Sequence, residues 1–252
     1  MRKFGLIGKS LDHSWSKSHF IDRFKLLQPE EYGYENYPLP GLEGFRELVN
    51  SDKDLSGLNV TLPYKQDIIK YLDEIDQTAS ETGAVNCIQI NRQSREVFLK
   101  GFNTDMPAFR DTLKPLLKDT YKSALVLGTG GAAKAVIRAL HDLHIDFRVV
   151  SRAQGPGVIT YEEISQEFIR NFQIIINATP AGMYPDISNC PHIPYSGLTS
   201  YHLLYDLVYN PEETLFLKKG RENGARTKNG YEMLRLQAEL SWCIWNELSP
   251  MP

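Results

Sequence analysis

Two charged side chains and one glycine turn in this 252-residue sequence have the residue types and spacing to do chemistry. Lys65 and Asp105 each lie just past an apolar run that reads as a strand. A lysine beside a carboxylate, its pKa tuned by burial, can pass a proton to or from an alcohol oxygen. Taken singly, each is also what a surface ion pair at a helix start looks like. The turn follows the apolar run Ala124–Leu127 and reads Gly128-Thr129-Gly130-Gly131-Ala132-Ala133-Lys134. Gly128, Gly130 and Ala133 fit the G-x-G-x-x-G/A spacing of a dinucleotide-binding turn, a spacing that an ordinary strand-to-helix turn can share. In such a turn the first glycine makes the bend, the second admits a pyrophosphate, and the small third residue lets helix and strand pack closely. The helix start then offers amide N–H groups to the phosphates.

The next strand, Ile145–Val150, narrows the reading, because it ends in Ser151-Arg152. An NAD site places an acid there for the ribose hydroxyl, whereas a guanidinium fork suits a 2′-phosphate. The cofactor expected is therefore NADP(H). In the first half of the chain, uncharged polar residues gather near strand ends: Ser14 and Ser16, Asn59 and Thr61, Asn86, Asn103 and Thr104. Ligands of open α/β sheets bind outside the carboxyl ends of the strands. Hydroxyls and amides there suit a small polyhydroxylated substrate, since both can donate and accept. With Lys65 and Asp105 meeting in one cleft and a hydride carrier beside them, the chain reads as a dehydrogenase.

Alternating elements position these groups. Strands are expected at Lys3–Ile7, Glu31–Tyr37, Leu55–Leu62, Ala84–Ile88 and Val97–Lys100. A helix capped by Ser18 runs to Leu27, a short one spans Gly41–Val49, one starts at Pro63 and runs to about Leu72, and one runs from Asp105 to Leu117. A polar turn covers Asn91–Arg95. After the glycine turn come strands Phe172–Ile176 and His202–Leu207, a helix Leu215–Glu222, a loop Ala225–Gly230 and a last helix Met233–Leu248. The alternation predicts an α/β chain of two domains, the second a doubly wound Rossmann-type dinucleotide-binding domain.

Composition excludes several partners. A net charge of −3 and a pI near 6.1 give no whole-chain attraction to nucleic acid or to acidic membranes. Cys87, Cys190 and Cys243 are scattered, with no C-x-x-C pair, which fits a reducing cytoplasm. No metal site is expected: His141 and His144 lie three apart without a third ligand and read as surface residues. The chain enters a strand at Lys3 without a targeting segment, and no apolar run approaches a membrane span.

Taken in order, these stretches resemble the shikimate dehydrogenase family over nearly the whole chain. His13-Ser14-Trp15-Ser16 is similar to its H-S-x-S loop, Asn59-Val60-Thr61-Leu62-Pro63-Tyr64-Lys65 to N-V-T-x-P-[FY]-K, and Gly83-Ala84-Val85-Asn86 to G-A-V-N. Gly101-Phe102-Asn103-Thr104-Asp105 resembles G-x-N-T-D, and Ile176-Asn177-Ala178-Thr179 with Gly182-Met183 resembles I-N-A-T-x-x-G-M. Gly230, Met233-Leu234 and Gln237-Ala238 resemble G-x-x-M-L-x-x-Q-A. The resemblance implies reduction of 3-dehydroshikimate to shikimate with NADPH, on the route to chorismate and aromatic amino acids. It implies Lys65 as the acid/base group, with Asp105 as its partner. Ser14, Ser16, Thr61, Asn86, Gln237 and Tyr209 become substrate ligands. Gly128, Gly130, Gly131, Ala132, Ala133, Ser151, Arg152, Ala178, Thr179, Leu207 and Gly230 become cofactor contacts. It also implies a discontinuous substrate domain, 1–104 with 231–252, around a nucleotide domain 105–230, in a monomer or homodimer.

The chain departs from the family pattern at four places. Lys17 stands where proline follows H-S-x-S, Trp15 replaces a smaller or basic residue, Ser151-Arg152-Ala153 replaces N-R-T, and Leu207 replaces a methionine. Two other readings stay open on sequence alone: a quinate/shikimate dehydrogenase using NAD or NADP, and a catalytically silent nucleotide-binding relative.

Overall fold

The computed structural model describes residues 1–11, 14–27, 30–92 and 96–248. His13 of the polar loop and residues 93–95 of the predicted turn lie outside them. Backbone packing divides the chain into two compact units, Met1–Thr104 with Ala238–Pro252, and Asp105–Gln237.

The first unit contains strands β1 (Arg2–Gly8), β2 (Tyr32–Pro38), β3 (Leu55–Val60), β4 (Glu74–Ile75), β5 (Cys87–Asn91) and β6 (Phe98–Phe102). Helices α1 (Trp15–Leu26), α2 (Phe45–Ser51) and α3 (Gln77–Thr82) lie between them in sequence. The sheet order is β2-β1-β3-β5-β6-β4. β1 runs parallel to β2 and β3, while β5 runs antiparallel to β3 and β6. Successive side chains on a strand point to opposite faces, and here both faces are covered. Phe4 and Leu6 join one cluster with Phe20, Phe24, Trp242 and Trp245, whereas Ile7 joins the other with Phe45, Leu58 and Ile68. That double burial is why β1 reads as a nearly unbroken apolar run. Gly57 is required by packing: a Cβ there would collide with the Trp245 indole nitrogen.

The second unit contains α4 (Asp105–Leu113), β7 (Ser123–Leu127), α5 (Gly131–Asp142), β8 (Asp146–Ser151), β9 (Val158–Thr160) and α6 (Gln166–Ile169). It continues with β10 (Ile174–Asn177), β11 (Leu203–Asp206), α7 (Leu215–Glu222) and β12 (Arg226–Lys228). The last helix, α8 (Tyr231–Trp245), carries the chain from this unit into the first. All six strands are parallel in the order β12-β11-β10-β7-β8-β9. Counted from β7, this is 3-2-1-4-5-6, the order of a doubly wound dinucleotide-binding sheet. The α/β reading with a Rossmann-type domain holds.

Several local expectations do not hold. α1 starts at Trp15, so Ser18 lies inside the helix; Ser14 takes the N-cap position without a side-chain cap bond. Residues 63–66 form turns, and only Asp67–Tyr71 is helical, as a short 3₁₀ segment. The Lys65 carbonyl accepts from the Val85 amide at 2.7 Å, which takes it out of any helical ladder. Ala84–Asn86 precede β5 instead of forming its start. α4 stops at Leu113, because Pro115 supplies no amide hydrogen to continue it. The segment read as the loop Ala225–Gly230 contains β12, which pairs with β11. Its three residues, Arg226-Thr227-Lys228, are polar and give no strand signal.

Candidate active site

In the second unit the site grows from the ends of four adjacent strands. β7 ends at Leu127 and the chain turns at Gly128, with φ of +115°, a conformation that L side chains rarely adopt. The Gly128 amide donates to the Val150 carbonyl at 2.9 Å. A Cβ on Gly128 would sit 3.0 Å from the Thr179 methyl and 3.1 Å from the Ala178 carbonyl oxygen. At Gly130, the N-cap of α5, a Cβ would meet nothing within 4 Å. The turn is therefore tight where the backbone bends and open at the start of α5. Gly131 opens the helix, Ala132 is half-buried, and Ala133 is fully buried against the sheet. β8 runs to one side of β7 and β10 to the other, so the turn lies at the topological switch point, where such sheets bind nucleotides.

The neighbouring strand ends lie beside this turn. Asn177 closes β10 and is fully buried. Its Oδ1 accepts from the Thr179 amide (3.1 Å) and hydroxyl (2.6 Å), and its Nδ2 donates to Asp206 (3.0 Å) and to the Ala181 carbonyl (3.2 Å). Asp206 closes β11 and also accepts from the Val208 amide (3.0 Å) and the Thr214 hydroxyl (2.5 Å). Burial pushes its carboxyl up to about 7, against the pull of those bonds. The Leu207 amide donates to the Asn177 carbonyl at 3.0 Å, and a Cβ on Gly230 would collide with the Leu207 carbonyl oxygen. Ala178, Thr179, Leu207 and Gly230 thus gather at the ends of β10 and β11. Tyr209 is half-buried just beyond β11. Ser151 ends β8 and its hydroxyl accepts from the Ala153 amide at 3.3 Å. Arg152 is exposed, and its charge opposes the rise that burial imposes on the Tyr161 phenol.

The first unit assembles amides and hydroxyls at one sheet edge. β1 and β3 end there, at Gly8 and Val60, and the Thr61 amide donates to the Ile7 carbonyl at 2.9 Å. β5 is antiparallel, so its start reaches the same edge and brings Asn86 with it. The Val60 amide donates to the Asn86 carbonyl (2.9 Å), and the Asn86 amide donates to that of Phe102 (3.0 Å). β6 ends there too, and Asn86 Oδ1 accepts from the Thr104 amide (2.7 Å) while its Nδ2 donates to the Thr104 hydroxyl (2.9 Å). Lys65 is half-buried in the turn after β3. Ser14 Oγ is buried with no partner among the described residues, a hydroxyl ready for a ligand. Lys17 bonds Glu35 at 2.6 Å, so its extra charge is already paired. Trp15 stacks on His19, with ring centroids 4.3 Å apart.

Asp105 is the buried first residue of α4 and opens the second unit, whereas Lys65 belongs to the first. Gln237 lies on α8, with its Nε2 donating to the Leu234 carbonyl at 2.8 Å. Residue-type reasoning did not foresee the roles of Tyr34 and Ser241, which bind the first unit's amides together, or of Thr214 behind Asp206. Their only signal is burial, which a sequence does not display.

A glycine turn at the switch point of a Rossmann sheet, in a chain that carries a second α/β unit lined with amides, hydroxyls and a lysine, defines a nucleotide-dependent oxidoreductase. Residues 6–88 match the model of the shikimate dehydrogenase substrate-binding domain. A shikimate dehydrogenase (NADP(+)) from Carboxydothermus hydrogenoformans is 37% identical over 98% of this chain and 92% of its own length. Among solved structures, a shikimate 5-dehydrogenase from Thermus thermophilus in complex with NADP(H) and shikimate is 30% identical, with a TM-score of 0.85 over 100% of this chain and 96% of its own. A quinate dehydrogenase from Corynebacterium glutamicum in complex with NAD is 28% identical, with a TM-score of 0.84 over 99% of this chain and 95% of its own. The chain belongs to the shikimate dehydrogenase family.

Proposed function

We propose that the enzyme catalyses the reversible, NADPH-dependent reduction of 3-dehydroshikimate to shikimate, on the route to chorismate and aromatic amino acids. The observation that carries the reading is the open glycine turn at the switch point, in a chain aligned over 98% of its length with an NADP(+)-dependent relative. The residues present fit the cofactor: Gly128 makes the bend, Gly130 admits the pyrophosphate, α5 turns its first amides toward it, and Arg152 takes the 2′-phosphate. Ala178, Thr179, Leu207 and Gly230 line the nicotinamide end. When bound, NADPH supplies the hydride and NADP⁺ accepts it.

Lys65 delivers a proton to the ketone oxygen as charge develops there, and recovers it from the hydroxyl in the reverse direction. Asp105 orients that ammonium and balances its charge. Ser14 and Ser16 hold the substrate carboxylate, and Thr61, Asn86, Gln237 and Tyr209 hold the ring hydroxyls. The substrate domain comprises residues 1–104 and 231–252, and the nucleotide domain residues 105–230. Among the described residues no helix is long and apolar enough to cross a membrane. We place the enzyme in the cytoplasm, as a monomer or homodimer working on small molecules.

Initial rates with shikimate or quinate, each with NADP⁺ or NAD⁺, test the assignment. A rate confined to shikimate with NADP⁺ supports it. Comparable quinate or NAD⁺ rates support the second reading, a quinate/shikimate dehydrogenase. No rate in any combination, from folded protein, leaves a silent relative.

A further inference from the structure

The first unit contains a buried chain of hydrogen bonds that links residues far apart in sequence. Ser241 lies on α8 with no exposed surface. Its hydroxyl accepts from Asn59 Nδ2 at 2.9 Å and lies 3.4 Å from the Thr104 hydroxyl. Asn59 Oδ1 accepts from the Tyr34 hydroxyl at 2.9 Å, and Asn59 Nδ2 also reaches the Asn86 carbonyl at 3.3 Å. Tyr34 is buried, and its hydroxyl is also bonded to Ser16. Thr104 in turn holds both ends of the Asn86 amide. The path Ser16–Tyr34–Asn59–Ser241–Thr104–Asn86 therefore begins and ends on two of the residues assigned to the substrate, and Thr104 immediately precedes Asp105.

Every member between the two ends is buried, with its polar atoms engaged by others of the path. What each can do is fix the rotamer of the next. An asparagine amide has two orientations of nearly equal shape, and only its partners decide between them. The Asn86 carbonyl can only accept, so it requires the nitrogen of Asn59 on its side; with that end fixed, Tyr34 donates to the Asn59 oxygen and Ser241 accepts from its nitrogen. Ser241 also supplies the Thr104 hydroxyl with a neighbour on the side away from Asn86. It is the one member of the path carried by α8, which brings Gln237 about one helical turn earlier. The Cys87 thiol, which is also bonded to Ser241, is pushed up to about 12 by burial and stays neutral, so no charge competes for the hydroxyl.

We infer that Ser241 is a positioning residue for substrate binding, acting through Asn59 and Thr104 on Ser16 and Asn86. The inference rests on the reading of the first unit as the shikimate site. Its test is the separation of two Michaelis constants in Ser241→Ala, Tyr34→Phe and the double variant. Loss of one bond in the path raises the shikimate KM about tenfold, while the NADP⁺ KM is unchanged and kcat moves little. Because one network carries both effects, the double variant shows less than the product of the two single changes. Should Ser241→Ala not fold, Tyr34→Phe, which deletes one hydroxyl from the opposite end, carries the test with the same expected split. An unchanged shikimate KM in the folded variants overturns the inference while leaving the activity in place. Equal rises in both constants reduce Ser241 to a structural residue and overturn it as well. Wild-type protein that neither turns over nor binds shikimate defeats the underlying reading, and the inference with it.

Discussion

The two units build their sites by opposite means. The nucleotide side works through missing side chains: Gly128 bends where a Cβ would crowd the Ala178 carbonyl, and Gly130 leaves the helix start open. The substrate side works through side chains that are present and fully engaged, with Asn59, Asn86 and Thr104 all buried and bonded to one another or to Ser241. A phosphate can be held by backbone amides, which every sequence has, so that site needs only room. A ring of similar hydroxyls must be told apart by placed donors and acceptors, and those must be held still.

The contrast is broken most sharply at Lys65, the member of the substrate side proposed to carry the proton. Lys65→Ala should lower kcat by ~10²–10⁴, or ~3–5 kcal/mol of barrier, with an unchanged melting temperature. Normal turnover in that variant removes Lys65 from the mechanism.

Next is Asp206, where the nucleotide side depends on a buried acid after all. Its folded pKa of about 7 lies above the ordinary carboxylate value. A raised folded pKa means that the proton is bound more tightly in the native state. That contribution is complete below about pH 4 and is lost as pH rises through about 7, a swing of about 4 kcal/mol at most. Asp206→Asn removes the swing. Denaturant unfolding of both proteins between pH 5 and 8 should show the wild-type advantage shrinking as pH rises; a difference independent of pH would mean that the three hydrogen bonds outweigh burial.

The two glycines sharpen the comparison. Gly128→Ala places a side chain at positive φ against backbone and should cost about 1–3 kcal/mol of stability. Gly130→Ala meets no protein atom, so it should leave the melting temperature alone and raise only the NADP⁺ KM. If Gly130→Ala melts early while cofactor binding is normal, the open space is not a phosphate site.

Smallest is Arg152→Ala, expected to weaken NADP⁺ about tenfold with NAD⁺ unaffected. Equal loss with both cofactors would place the 2′-phosphate elsewhere.

Legibility followed the same divide. The glycine turn could be read directly because its parts are contiguous and its geometry is set by neighbours within a few residues. The role proposed for Arg152 followed from the adjacent strand end. The polar residues of the first unit could be named, but the role of Asn59 could not be separated from that of Asn86. One is bound to Tyr34 and Ser241, the other to Thr104, and neither arrangement has a local signature. The helix expected after Pro63 failed for the same reason: the Lys65 carbonyl is claimed by Val85, twenty residues on in sequence. β12 was hidden because an edge strand of three polar residues is defined by its partner alone.

The order of the longer strands and helices, the faces that must be buried and the dinucleotide turn were determined by the sequence itself, since periodicity and short-range backbone preferences act between near neighbours. Tertiary structure decided that β5 runs antiparallel and so delivers Asn86 to the edge where β3 ends. It also decided that Asn59 meets Ser241 across 182 residues, and that the carboxyl of Asp206 is buried deeply enough to titrate near neutrality. Burial and long-range hydrogen bonding belong to the packed chain, and no residue carries them alone.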